Sequence, residues 1–180
     1  LYFTANMADN KLYLNEGALK FRDVTTASKT SGRPGPWRTG VTMADVNADG
    51  KLDLSLCYSG ALPAQNRANQ LLINQGNDGE GIPQFKDEAA AFGLASTAFS
   101  NQMYFFDYDR DGDLDGLLLN HNPKSLPVLN ATKTREMLKT HDPERGLTLY
   151  RNDGGKFKDE TTAAGISGSA PGYGSVSLTH

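Results

Sequence analysis

Asp45-Val46-Asn47-Ala48-Asp49-Gly50-Lys51-Leu52-Asp53 returns as Asp107-Tyr108-Asp109-Arg110-Asp111-Gly112-Asp113-Leu114-Asp115, at an offset of 62 residues. Positions 1, 3 and 5 of each copy carry Asp or Asn oxygens. The glycine at position 6 permits a sharp turn, the backbone carbonyl of position 7 (Lys51 or Asp113) can face inward, and the carboxylate of position 9 completes an oxygen cage. Such a shell suits calcium, which takes about six to eight oxygens at about 2.3–2.6 Å in loose geometry, better than magnesium, which demands a strict octahedron and keeps its water. The plain alternative is an Asp-Gly surface turn, against which stands the repetition with every ligand position filled. An EF-hand opens the same way but needs a bidentate Glu at position 12 and flanking helices. Position 12 is Leu56 in one copy and Leu118 in the other, and the flanks Val41-Thr42-Met43-Ala44 and Leu54-Ser55-Leu56-Cys57 alternate like strands.

Outside these loops, three further segments align. Asn10–Gly17 followed by Leu19–Thr25, Asn69–Gly76 followed by Gln84–Glu88, and Gly146–Gly154 followed by Lys156–Glu160 each read as strand, Asn/Gly turn, strand. A small-residue stretch follows each: Ala27-Ser28, Ala91-Phe92-Gly93-Leu94-Ala95, and Ala163-Ala164-Gly165-Ile166. One unit is therefore a first strand (Gly40–Ala44 or Met103–Phe106), a cation loop, a second strand (Leu54–Tyr58 or Gly116–Leu119) and a hairpin. The first and second strands are apolar on both faces, as a sheet sandwiched between neighbours requires. Four-stranded sheets repeating at this spacing predict an all-β fold of antiparallel β-propeller blades, about three repeats of a larger ring.

The expected division is a partial blade over 1–36 (strands two to four) and a complete blade over 37–98 with loop 45–53. A complete blade over 99–166 carries loop 107–115 and an insertion at 121–146, and 167–180 supply the first strand of a further blade. Leu1–Ala5 aligns with Leu54–Tyr58 and reads as mid-strand, not as a leader peptide. The last five positions of Gly174–His180 align with the first strand ahead of Asp45, with His180 at the first ligand position. The remaining blades are then expected from a parent chain or from another copy.

With 180 residues, 38% hydrophobic, and a formal charge of −3, the chain suffices for a real core and carries no basic stripe to favour nucleic acid. No apolar run is long enough for a membrane span. Cys57, the single cysteine, reads as a buried small hydrophobe and permits no internal disulfide.

The repeats resemble the FG-GAP/VCBS family, which includes the integrin α-subunit propeller. The Asp-x-Asn/Asp-x-Asp-Gly loop, the Leu-(Tyr/Leu)-x-Asn strand and Phe-(Lys/Arg)-Asp look closest to bacterial VCBS-repeat proteins associated with ASPIC/UnbV modules. Phe92-Gly93 is present but a clean Gly-Ala-Pro is not, so no integrin-like adhesion role is carried over. The resemblance implies calcium-stabilised blades outside the cytoplasm, periplasmic, surface-bound or secreted, whose loops bind protein or glycan.

Two calcium sites are expected, with Asp45, Asn47, Asp49, Lys51 and Asp53 in the first and Asp107, Asp109, Asp111, Asp113 and Asp115 in the second. Lys51 and Asp113 contribute backbone carbonyls, and the Asp113 side chain is expected to face solvent. Three side-chain carboxylates against four predict tighter binding at the second loop. At the affinities of extracellular modules, millimolar calcium yields roughly 0.5–2 kcal/mol per site, the scale of a structural staple.

The insertion suits a recognition loop or a plain surface excursion. Within it Thr132–Thr140 suggests a short helix, Asn130-Ala131-Thr132 fits a glycosylation sequon, and His121 and His141 flank it as a remote two-His metal pair. Trp37, behind Pro34-Gly35-Pro36, suits either sugar stacking or packing at a sheet edge. The leading function is a non-enzymatic scaffold that binds protein or carbohydrate. The rivals are a polysaccharide lyase, for which His121, Lys124 and His141 form the sole nucleus, and a structural spacer.

Overall fold

Each hairpin is closed by its own side chains. Asn15 Oδ1 accepts from the Gly17 N–H and Asn74 Oδ1 from the Gly76 N–H, both at 2.9 Å, and Asn152 Oδ1 accepts from the Gly155 N–H at 2.7 Å. At the far end, Asp23, Asp87 and Asp159 each take the N–H two residues on, from Thr25, Ala89 and Thr161. These are Asx turns, in which a short carboxylate substitutes for the next strand partner and ends the pairing. They explain why the Phe-Lys/Arg-Asp pattern recurs where it does.

The computed structural model describes residues 1–35, 37–121, 132, 136, 142–144 and 146–166. Among them the chain runs β1 (Tyr2–Phe3), β2 (Lys11–Asn15), β3 (Phe21–Asp23), α1 (Thr25–Ser28), β4 (Arg38–Ala44), β5 (Asp53–Tyr58) and α2 (Ala64–Arg67). It continues through β6 (Gln70–Asn77), β7 (Pro83–Asp87), α3 (Ala89–Phe92), β8 (Ser100–Phe106), β9 (Asp115–Asn120), β10 (Leu147–Asn152) and β11 (Phe157–Asp159). The fold is all-β, with three antiparallel sheets: β1-β2-β3, β4-β5-β6-β7 and β8-β9-β10-β11. Within each sheet the strands follow chain order, so every pairing is between sequence neighbours. The expected first strand at 167–180 and most of the 121–146 insertion lie outside the described residues, as do Lys124, Asn130 and His141; of the expected helix at Thr132–Thr140, Thr132 and Glu136 are described and both are helical.

The register is set by burial on both faces. Every residue of β5 and of β9 is buried. Alternate side chains serve different cores, since successive strand residues point to opposite faces. Leu54, Leu56, Leu72 and Phe85 of the second sheet pack with Leu12 and Val24 of the first. Cys57, Leu71 and Ile73 point the other way, toward Met103, Leu118, Tyr150 and Phe157 of the third. Full burial of such a side chain contributes about 1.5–3 kcal/mol, so the two inter-sheet cores are the main cohesive term. Burial also pushes the Cys57 thiol up to about 12, which keeps it protonated and inert.

Polar contacts tie the sheets along their first strands. Thr39 Oγ1 donates to the Ser100 carbonyl at 2.8 Å, Thr42 Oγ1 donates to the Met103 carbonyl, and Gln102 Nε2 donates to the Val41 carbonyl at 3.2 Å. On the outer side α1 packs on β7. The turn ending α3 touches the third sheet at Gly93, where an added Cβ would stand 2.5 Å from the Phe157 carbonyl oxygen. With φ at +82° as well, no other residue fits there without displacing the neighbouring strand.

Candidate metal centre

Both nine-residue loops connect a first strand to a second, β4 to β5 and β8 to β9, so strands and not helices flank them. The pairs Ala44↔Asp53 and Phe106↔Asp115 hold the loop ends together. Inside each loop the backbone turns back on the first aspartate. The Gly50 N–H donates to Asp45 Oδ2 at 2.8 Å, and the Gly112 N–H donates to Asp107 Oδ2 at 3.2 Å. Positive φ is required at both glycines (+82° and +97°). Ala48 (+56°) and Arg110 (+65°), two residues earlier, are left-handed too. A non-glycine residue in that region costs of order 1–2 kcal/mol, and the same strain recurs in both loops.

The ninth position is the anchor. Asp53 is buried, with Oδ2 accepting from the Val46 N–H at 3.1 Å and Oδ1 from the Asn74 N–H at 2.8 Å. Asp115 repeats this with Tyr108 at 3.0 Å and Asn152 at 2.9 Å. One carboxylate thus fixes its own loop and locks it to the following hairpin. Burial raises the pKa of both groups. Backbone hydrogen bonds oppose the shift, while the nearby Asp45 and Asp49, or Asp109 and Asp111, reinforce it. Each anchor is a desolvated negative charge crowded by like charges, which a cation would relieve.

The two loops differ in how their carboxylates lie. In the second loop, carboxylate oxygens of Asp107, Asp109 and Asp115 lie within 4.8 Å of one another. Asp111 Oδ1 accepts from the Asp113 N–H at 2.9 Å. The Asp113 side chain lies at the surface, where Oδ2 accepts from the Gly154 N–H at 3.3 Å and so reaches the next hairpin turn. In the first loop, Lys51 Nζ sits 3.0 Å from Asp49 Oδ2 and, as the largest cause, lowers the pKa of that carboxylate. Asn47 Oδ1 accepts from the Asp49 N–H at 3.3 Å. The donor set in both is oxygen only, which fits a hard divalent cation and no soft one. Lys51 is a built-in competitor for the first.

The opposite end of the sheets holds the other candidates. Trp37 is half-exposed at φ +68°, and its ring lies against Gly60. The Trp37 carbonyl accepts from the Ser59 N–H at 2.9 Å; one repeat on, Phe99 accepts identically from His121. The His121 ring meets the edge of Phe99 at 6.4 Å between centroids, and the Arg67 guanidinium lies 4.1 Å from the Phe99 centroid. Burial lowers the His121 pKa, so its resting form is neutral. Sequence reasoning passed over Arg38. It is buried, with Nη1 donating to the Ala5 carbonyl at 3.0 Å and to that of Ala8, and Nη2 donating to the Arg33 carbonyl at 2.6 Å. No periodicity marks such a clamp, since its partners are backbone carbonyls.

Residues 1–55 match the family model of the FG-GAP-like repeat. The match takes in the first sheet, β4 and the whole first loop, and bears out the resemblance read from the sequence. No curated protein matches the chain.

Proposed function

We propose that the chain is a segment of a calcium-stabilised β-propeller that acts outside the cytoplasm as a non-enzymatic scaffold for binding protein or carbohydrate. The observation that carries this reading is the convergence of Asp107, Asp109 and Asp115 within 4.8 Å on a strand–loop–strand turn. The ordered three- and four-stranded sheets, the middle one packed through both faces, support blades divided near residues 36, 98 and 166. Asp45, Asn47, Asp49, Asp53 and the Lys51 carbonyl would hold one ion. Asp107, Asp109, Asp111, Asp115 and the Asp113 carbonyl would hold the other. The bound ion supplies charge compensation to the buried anchor, and the chain's own backbone does the rest of the bracing. Calcium at extracellular levels suits sites of this charge count. Recognition is assigned to the end away from the loops, where Trp37, His121 and the start of the insertion lie.

Calorimetric titration with calcium tests the metal reading. Two sites are expected, the tighter one lost in Asp109→Asn, and absence of binding to the folded protein would overturn it. Incubation with acidic polysaccharides tests the non-enzymatic reading. New ultraviolet absorbance from unsaturated products would replace the scaffold with a lyase.

A further inference from the structure

One side chain touches both cation loops. Asn152, at the end of β10, is buried and uses its backbone N–H, its side-chain amide and its side-chain oxygen. The backbone N–H donates to Asp115 Oδ1 at 2.9 Å, and Oδ1 accepts from the Gly155 N–H at 2.7 Å. Nδ2 donates to the Leu114 carbonyl at 3.1 Å, position 8 of the second loop, and to the Val46 carbonyl at 3.5 Å, position 2 of the first. Asn74 is the internal comparison. It makes three of these bonds within its own repeat, to Asp53 Oδ1 at 2.8 Å, to the Leu52 carbonyl at 3.2 Å and from the Gly76 N–H at 2.9 Å. The bond from Asn152 to Val46, 106 residues away in the chain, is the one that joins sheet to sheet.

Val46 is where such a bond can act on the first loop. It lies between Asp45 and Asn47, two of that loop's ligand positions, and its C=O shares a rigid peptide plane with the Asn47 N–H. The rest of the residue is fixed as well. Its N–H donates to Asp53 Oδ2 at 3.1 Å, and its side chain is buried with Met103, Leu118, Tyr150 and Phe157 of the third sheet. From the other side, Asp113 of the second loop accepts from the Gly154 N–H and so grips the turn that Asn152 opens. A hydrogen-bonded path therefore runs from Asp115 through Asn152 to the Val46–Asn47 peptide. Each loop also carries a left-handed non-glycine residue, Ala48 or Arg110, so each is a strained turn whose order depends on what braces it.

We infer that Asn152 is a positioning residue for both loops and couples them, so that a divalent cation held by one raises the affinity of the other. The sign follows from shared ordering. A cation that fixes Asp115 and the second loop fixes Asn152 with them, and through it the Val46–Asn47 peptide. The first loop then has less freedom left to lose when it binds. Linkage makes the effect reciprocal. Repulsion between two bound cations acts the other way. Stacked sheets lie about 10 Å apart, however, beyond the Debye length of about 8 Å at physiological salt, so that term is muted. One neutral hydrogen bond sets the scale of the coupling, about 3- to 10-fold in affinity. The proposal rests on the calcium reading of the proposed function.

The test is calorimetric titration of the full chain with calcium at about 0.15 M salt. Asp109→Asn leaves the first loop alone, Asp49→Asn leaves the second alone, and wild type carries both. The product of the two wild-type association constants should exceed the product of the isolated constants about 3- to 10-fold. Asn152→Ser and Asn74→Ser each remove the side-chain bond to their own loop. Only Asn152→Ser, combined with the same single-loop changes, should also erase the excess. A second readout does not need the Asn152 variant to fold. In Asp49→Asn, calcium taken up by the second loop should slow amide hydrogen exchange at Asn47 and Ala48 of the first. Equal products in wild type, or unchanged exchange there, would overturn the coupling and leave two independent calcium sites standing. An excess lost equally in Asn74→Ser and Asn152→Ser would overturn it too, because general loosening would then explain the loss. No calcium binding to the folded chain would remove the metal reading and the coupling together.

Discussion

Replacing Asp115 by Asn separates what the buried anchor does for the fold from what it would do for a cation. Both carboxylate oxygens take backbone N–H groups, from Tyr108 at 3.0 Å and Asn152 at 2.9 Å, in a site closed to solvent. A hydrogen bond to a charged acceptor contributes about 1.5–3 kcal/mol, and a buried donor left without a partner costs about 1–3 kcal/mol. The Asn amide keeps one acceptor and turns an NH₂ toward the other N–H, so one bond is lost and one donor stranded. Against this, the substitution removes a charge that burial and the neighbouring Asp109 and Asp111 already disfavour. The net cost should be about 1–3 kcal/mol in excess chelator, where no ion contributes. Asp111→Asn is the control. Asp111 is exposed and holds one backbone N–H, so in chelator its loss should stay within about 0.5 kcal/mol. In millimolar calcium, wild type should gain roughly 0.5–2 kcal/mol per site and each variant less. Urea unfolding in both buffers measures all of this, provided the slopes agree. Asp115→Asn indistinguishable from wild type in chelator would refute the anchor argument, and a full calcium response in Asp111→Asn would remove that residue from the ligand set.

Equivalent positions at different sheets should answer differently to the same change. Phe157→Ala empties the core between the second and third sheets and should cost about 3–5 kcal/mol. Phe21→Ala, at the same register in the first sheet but 42% exposed, should cost well under half of that, both read from urea midpoints. Gly93→Ala combines φ +82° with a clash on the Phe157 carbonyl and should lose about 2–4 kcal/mol, whereas Gly50→Ala, with the same φ and open space, should lose about 1–2 kcal/mol by thermal melting. Asp23 is held down to about 2, first by the Lys11 ammonium and then by Thr25. Its ionised form therefore contributes stability in full above the ordinary aspartate value of 3.8, and that contribution fades as pH falls toward 2. Asp23→Asn should flatten the acid limb of a stability profile over that window. An unchanged limb would assign acid lability elsewhere.

The hairpins were legible because their chemistry is local. An Asn two or three residues before a Gly, and an Asp two residues before the next N–H, act within a few residues, and the sequence displays them three times. The loops were legible for the same reason, including the glycine at position 6. The left-handed Ala48 and Arg110 were not, since neither residue type advertises positive φ. Nor were the one-turn helices α1, α2 and α3, which are too short to show a period. Arg38 escaped because its partners are carbonyls of Ala5, Ala8 and Arg33, groups every residue has. The bond from the Gly154 turn to the Asp113 side chain was not legible either, because sequence alone does not reveal that the two come within reach.

The two ends of these sheets tolerate changes of loop length differently. At one end, the loops over 45–53 and 107–115 keep a single length, because a residue gained or lost there would pull the anchor away from the backbone N–H groups it holds. At the other end, the link from β5 to β6 spans 59–69 while that from β9 to β10 spans 121–146, and the strands on either side keep their pairing. The strand pairing survives that difference in length, so the chain can acquire new loop sequence there without changing its sheet register. Novelty in descendants of this chain should therefore accumulate on one rim and leave the other nearly unaltered.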